Sequence, residues 1–316
     1  MKLGVIATAL IGLAVAAWLI FHTGFAAVFG AVASVGWGGF ALLCLYALAT
    51  FLVLGAAWFA LTPSAPFWSF VWGRIVRDAA GEVLPFSQIG GILIGVRALI
   101  LRGIAAPAAF ASSIVDVTTE MMAQLVFILI GVALFASRAD SHLPAATISG
   151  IVFVLAGGLA FVILQRKGIA LAEKLAERFL PAVARQTREF HAVVSHIYDH
   201  PSRLAVSSAL HLAGWIASAG ATWLAIRLIG GAISFTDALA IESILSALRS
   251  AAVFVPGALG VQEAGYALML PLFGLPAEMG LAVSLLKRAR EIVIGVPVLL
   301  MWQGLEGRRA LAAPKT

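Results

Sequence analysis

The chain has 316 residues, 62% of them hydrophobic and 11% charged, with a mean hydropathy of +1.03. This composition excludes a soluble globular domain and implies a polytopic, all-α integral membrane protein. The formal net charge of +6 resides mainly in short loops and segment ends, so it bears on membrane orientation and not on nucleic-acid binding. Cys44 is the lone cysteine, which rules out an intramolecular disulfide and a cysteine-based zinc site and leaves a packing role.

Apolar runs long enough to cross a hydrocarbon core of about 30 Å occur, in chain order, at residues 3–21, 38–61, 107–135, 145–164, 204–229 and 277–302. The first follows a single Lys2, contains Trp18 and is longer than the core of a cleavable signal peptide, so it is expected to be a span. Two further stretches are apolar but broken. Residues 67–101 are interrupted by Arg74, Arg77, Asp78, Glu82, Pro85 and Arg97, and residues 238–273 by Glu242, Arg249, Pro256, Gly257, Gly260 and Glu263. Each is expected to be a re-entrant hairpin or a pair of tilted spans, giving six full spans plus two broken segments, or eight spans. The expected organisation is a first membrane half (1–164), a cytoplasmic amphipathic linker (165–203) and a second membrane half with a short basic tail (204–316).

Lys and Arg set the orientation. Connections 22–37 and 230–236 contain neither, whereas the linker carries Arg166, Lys167, Lys174, Arg178, Arg185, Arg188 and Arg203, and the tail Arg308, Arg309 and Lys315. Both termini and the linker are therefore expected in the cytoplasm. Leu171, Leu175 and Phe179 recur at helical spacing beside Lys174, Glu177 and Arg178, the pattern of a helix lying on the inner membrane surface. His191, His196, His200 and Asp199 lack the ligand set of a metal site and read as solvated linker residues.

Charges inside spans are costly and normally face a cavity or one another. Asp116 and Glu120 share one helical face with Gln124, and Lys287 and Glu291 have the same spacing beside Arg288 and Arg290. Asp116 is expected to pair with Lys287 or Arg288, either as a lock between two helices or at the edge of a polar cavity. The excess of cations in 287–291 favours a cavity that accepts an anionic group. Pro85 and Pro256 remove backbone donors, and Gly90, Gly91, Gly257 and Gly260 permit non-helical backbone, which at membrane depth lines watery cavities. A helix restarting after such a break offers free N–H groups to an anion, and Gln88, Gln262 and Glu263 lie in that window. Arg74 and Arg102 are expected to snorkel at the interface, and Trp58, Trp68, Trp72 and Trp302 to form aromatic belts.

An internal repeat accounts for the two broken stretches. Pro85 and Pro256, Gly103 and Gly274, Ser113 and Ser284, and Glu120 and Glu291 are each separated by 171 residues. An odd number of crossings between the copies makes the second copy inverted, and such symmetry points to a transporter-like midplane site.

The run Val255-Pro256-Gly257-Ala258-Leu259-Gly260-Val261-Gln262-Glu263, followed by Lys287-Arg288, resembles the membrane (flippase) region of the lysylphosphatidylglycerol synthase family. Residues 77–88 and 115–124 look like its hopanoid-biosynthesis-associated inner-membrane branch. The resemblance implies translocation of an amphipathic lipid between leaflets, or support for hopanoid transport and attachment to lipid A. Partners would be a hopanoid, an anionic phospholipid or a lipid A precursor, and enzymes of hopanoid or lipid A biosynthesis. The soluble aminoacyl-transfer domain of full synthases has no counterpart in these residues, so lysine transfer is not expected. Relatives often carry Gly-Glu where this chain has Gly90-Gly91, a departure that bears on the head group recognised.

The expected mechanism places Arg97, Lys287, Arg288 and Arg290 as attractors of a head group, with Glu120, Glu263 and Glu291 balancing charge or carrying a proton. No cofactor is expected, and the chain contains no G-x-x-x-x-G-K-[ST] loop. The alternatives are an intramembrane lipid-modifying enzyme using Asp116, Glu120 or Glu263 as acid or base, and a scaffold for hopanoid or lipid A enzymes.

Overall fold

The computed structural model describes residues 25–83, 87–137, 181–252, 258 and 260–312, with isolated positions between 148 and 160. Among the described residues the structure is all-helical: α1 (Phe25–Leu61), α2 (Phe67–Val83), α3 (Ser87–Leu101), α4 (Ala106–Ala136), α5 (Pro181–Tyr198), α6 (Pro201–Leu228), α7 (Phe235–Ala251), α8 (Val261–Met269), a 3-10 turn (Leu270–Phe273) and α9 (Ala277–Ala312). The expected span at 3–21, most of 145–164, the Leu171–Leu175–Phe179 face, and Pro85, Pro256 and Gly257 lie outside the described residues.

Among the described residues, three helices are long and apolar enough to cross a membrane, at Phe29–Leu61, Ala106–Ala136 and Pro201–Leu228. Helix α9 spans 36 residues, yet Lys287, Arg288, Arg290 and Glu291 interrupt its apolar character. Helices α2 and α7, at 17 residues each, fall short of the roughly 20 residues a perpendicular crossing needs. Each instead pairs with the helix that follows it.

Helices α2 and α3 form an antiparallel hairpin whose backbones nearly touch. A Cβ on Gly91 would sit 2.6 Å from the Arg77 carbonyl oxygen and 2.9 Å from Gly81 N, and one on Gly95 would sit 2.7 Å from Arg77 Cβ. Nearer the hairpin base a Cβ on Gly73 would meet Leu99 Cδ2 at 2.8 Å. Gly90 and Gly91 therefore do not supply a backbone break, as their composition suggests; both lie inside α3, and Gly91 serves close packing. In the second half, α7 and α8 pack antiparallel, with Leu245 against Gly265 and Glu242 bonded to Tyr266. Here the break is real: Ala258 (φ 48) and Gly260 (φ 79) occupy left-handed backbone before α8 starts.

The two hairpins open toward opposite ends of the bundle. Helices α1 and α6 run antiparallel, with Leu228 against Gly39 and Leu54 against Gly214. The base of the α2–α3 hairpin lies beside the C-terminal end of α9, where Arg309 Nη1 donates to the Ile100 carbonyl at 3.1 Å and Arg97 pairs with Glu306. The base of the α7–α8 hairpin lies at the other end, where Phe273 meets Phe135 near the end of α4 at 5.7 Å between ring centres. Arg102, Arg203, Arg308 and Arg309 gather at the first end, whereas Arg227 is the basic residue at the second among the described residues.

Helix α5 caps the first end. Val194 and Ile197 are buried and pack with Trp58, Leu61, Phe70, Leu99, Ala109 and Val115, so this part of the linker docks onto the bundle instead of resting on lipid alone. Trp58 is completely buried there and its Nε1 donates to Ser112 Oγ, which removes it from the expected aromatic belt. Trp68 is 63% exposed.

Candidate functional site

The intramembrane charges sort into three groups, each built by helices that the hairpin geometry brings together. The first lies between α2, α4 and α6. Arg77 Nη1 donates to Asp116 Oδ2 at 2.7 Å, and Arg74 Nη2 donates to Glu120 Oε1 at 2.6 Å. Arg77 Nη2 also bonds Glu120, while Arg74 Nε reaches Asp78 Oδ2 at 2.9 Å. His211 Nε2 lies 2.9 Å from Asp116 Oδ1, and one turn earlier Ser207 bonds Thr119. Arg74 is buried among carboxylates, so it does not snorkel; Arg102 is exposed in the turn after α3.

The second group lies between α6, α7, α8 and α9. Glu242 accepts from Ser218 at 2.7 Å, Thr222 at 2.6 Å, Tyr266 at 2.6 Å and Lys287 at 2.8 Å. Lys287 Nζ also reaches Tyr266 Oη at 2.6 Å and Thr222 Oγ1 at 3.1 Å. An ammonium has three donors and a carboxylate about four acceptor positions, so both partners are saturated. Lys287 has no hydrogen left for a head group, contrary to the role its sequence position suggests.

Asp116 does not pair with Lys287 or Arg288, because each half already supplies a partner. Arg74 and Glu242 are both the eighth residue of their helices, α2 and α7. The first half places a cation there and an anion, Asp116, on α4, at 3.7 Å. The second half reverses the signs, with Glu242 on α7 and Lys287 on α9. The complementarity between Asp116 and Lys287 thus reflects two separate pairs, not one shared pair.

The third group sits where the inner ends of α2 and α7 meet. Arg249 Nη2 donates to Glu82 Oε1 at 2.7 Å, joining the two hairpins. Arg288 lies 3.2 Å from Glu291, 3.5 Å from Glu263 and 3.9 Å from Glu82, and Arg290 lies 3.6 Å from Glu291. Three guanidiniums therefore face three carboxylates. The cation excess read from 287–291 disappears once Glu82, Glu242 and Glu263 are brought alongside. The start of α8 is already occupied as well: Gly260 N–H donates to Glu263 Oε2 at 2.8 Å, and Ser284 Oγ donates to Glu263 Oε1 at 3.2 Å. The anion that the free N–H groups call for is the protein's own carboxylate.

Of the expected site residues, the fold brings Glu263, Arg288, Arg290 and Glu291 into this tip cluster. Gln262 is buried beside it, its Nε2 bonded to Ser284 Oγ. Asp116 and Glu120 belong to the first group and Lys287 to the second. Arg97 stands apart in an exposed pair with Glu306 at 2.6 Å, at the hairpin base. Gln88 falls in the first turn of α3, its side chain outside the described residues. Arg77, Glu82, Glu242 and Arg249 were visible as charges interrupting apolar runs, yet their partners were not. His211, Tyr266, Thr222 and Ser218 carry no local signal, being ordinary residues of apolar helices. Among the described residues no cluster of His, Cys, Asp and Glu could hold a metal ion.

Comparison with curated proteins and with solved structures gives no match. The family model for the lysylphosphatidylglycerol synthase TM region matches residues 5–298, nearly the whole chain. The chain thus belongs to the lysylphosphatidylglycerol synthase transmembrane-region family.

Proposed function

We propose that this chain translocates an amphipathic lipid between the leaflets of a bacterial inner membrane without altering it chemically. The observation that carries the proposal is the tip cluster. Two hairpins opening toward opposite ends of the bundle meet through Glu82 and Arg249, which surrounds their contact with six ionisable groups. Such groups are expensive at membrane depth and serve pathways more often than structure.

An inverted repeat fits the same geometry. Gly103 (φ 91) and Gly274 (φ 78) share positive backbone angles, and α4 and α9 begin at Ala106 and Ala277. Both pairs keep the 171-residue spacing, and the antiparallel run of α1 and α6 is what inversion of the copies requires. In this reading the basic end is cytoplasmic, the head group crosses at the tip cluster, and the apolar tail stays in the bilayer. The likeness of residues 77–88 and 115–124 to the hopanoid-associated branch favours a hopanoid or a lipid that travels with it.

Purified protein in liposomes with a labelled lipid in one leaflet tests this. Leaflet exchange with unchanged lipid mass is expected. Altered lipid mass would mean an enzyme, and neither change would mean a scaffold.

A further inference from the structure

The tip cluster is reachable where the Glu242–Lys287 pair is not. Glu82, Arg249 and Glu263 keep 20%, 23% and 23% of their side-chain surface exposed, whereas Lys287 and Glu242 keep 5% and 4%. Its charges are matched, Glu82, Glu263 and Glu291 against Arg249, Arg288 and Arg290, so a ligand bearing one sign of charge must displace a partner and strand it. An uncompensated buried charge is strongly unfavourable. Two buried acceptors, Glu82 Oε2 and Gln262 Oε1, also lack a hydrogen-bond partner among the described residues. They call for a donor, while the partly exposed guanidinium of Arg249 calls for an anion.

Resting on the reading of this cluster as a head-group site, we propose that it takes a zwitterionic head group, carrying an ammonium and a phosphate, in exchange for the Glu82–Arg249 ion pair. The phosphate takes the place of the Glu82 carboxylate on Arg249, with Arg288 and Arg290 nearby. The ammonium takes the place of the Arg249 guanidinium on Glu82. Every charge is then paired with lipid bound and with lipid absent, so entry of the lipid opens the Glu82–Arg249 pair that ties the two hairpins.

The test is thermal stabilisation of the purified protein in dodecyl maltoside by added phosphatidylethanolamine, phosphatidylglycerol or N-acetyl-phosphatidylethanolamine, the last lacking the ammonium. Phosphatidylethanolamine is expected to act at concentrations about tenfold lower than the other two, as a desolvated charge pair warrants. Glu82→Gln should abolish that preference while leaving phosphatidylglycerol at least as effective, and Arg249→Gln should weaken all three. The double variant Glu82→Gln/Arg249→Gln keeps the cluster neutral, so it should melt near the wild-type temperature without lipid and still lose the preference.

Equal or tighter binding of phosphatidylglycerol or N-acetyl-phosphatidylethanolamine to the wild type would overturn the zwitterionic class. The site reading would survive that result provided Arg249→Gln still weakened binding. If no variant changed the binding of any lipid, the site reading itself would fall, and this inference with it.

Discussion

Glu242 and Lys287 form the most completely satisfied charge pair among the described residues, and their substitution separates structural from functional charges. Removing one partner leaves an uncompensated charge, with a cost of about 3–5 kcal/mol, whereas replacing both with apolar residues of similar size is often neutral. Glu242→Gln is therefore expected to lower the melting temperature in detergent sharply, and Glu242→Leu/Lys287→Met to regain most of it. The exchange Asp116→Lys with Lys287→Asp, natural for a directly paired couple, should give no recovery; it would place Lys beside Arg77 and Asp beside Glu242. Thermal melts of the single and double variants measure both. A rescued exchange would show that the two residues meet in some state of the protein. The charges themselves were legible in the sequence, because Asp116, Glu120, Lys287 and Glu291 stand out in apolar runs. Their partners were not: pairing depends on which face of α2 or α7 lies against α4 or α9, and helical spacing within one segment carries no information about that.

At the level of elements, glycine misled. The broken stretches were expected as hairpins or tilted spans, and both arms pair antiparallel. Gly90 and Gly91 read as breaks because glycine marks irregular backbone and close backbone approach with the same letter. Only the contact of Gly91 with the Arg77 carbonyl and Gly81 tells the two apart. Gly91→Ala should push α3 away from α2 and cost about 1–3 kcal/mol, as overpacking does. Gly30→Ala, where a Cβ would meet nothing within 4 Å, should be near neutral. Comparing membrane abundance and melting temperature of the two variants checks this, and equal stability would mean the hairpin arms are not held at backbone contact. Gly260 behaves differently: its φ of 79 strains any L side chain, so Gly260→Leu should cost stability even though no atom stands within 4 Å of its Cβ position.

Across the whole molecule, the two hairpins enter from opposite ends, and among the described residues Arg102, Arg203, Arg308 and Arg309 sit at one of them against Arg227 at the other. This distribution was legible because Lys and Arg counts in connections need no tertiary knowledge. What the sequence left open was how the linker sits, since amphipathicity describes a helix face without naming its partner; α5 spends that face on Trp58, Leu61 and Leu99. The consequence is a topology prediction with two probes. In a Cys44→Ser background, Ser202→Cys lies exposed at the start of α6, and Ala232→Cys lies exposed in the turn before α7. Helix α6 has 28 residues and, at 1.5 Å per residue, separates the two probes by more than the hydrocarbon thickness. A membrane-impermeant maleimide should label Ala232→Cys in intact spheroplasts and Ser202→Cys only after the membrane is opened. The reverse pattern would keep the opposed hairpins and turn the molecule over, placing the linker outside. Labelling of both from one side would remove α6 as a span, and with it the opposed entry of the hairpins on which a shared tip site depends.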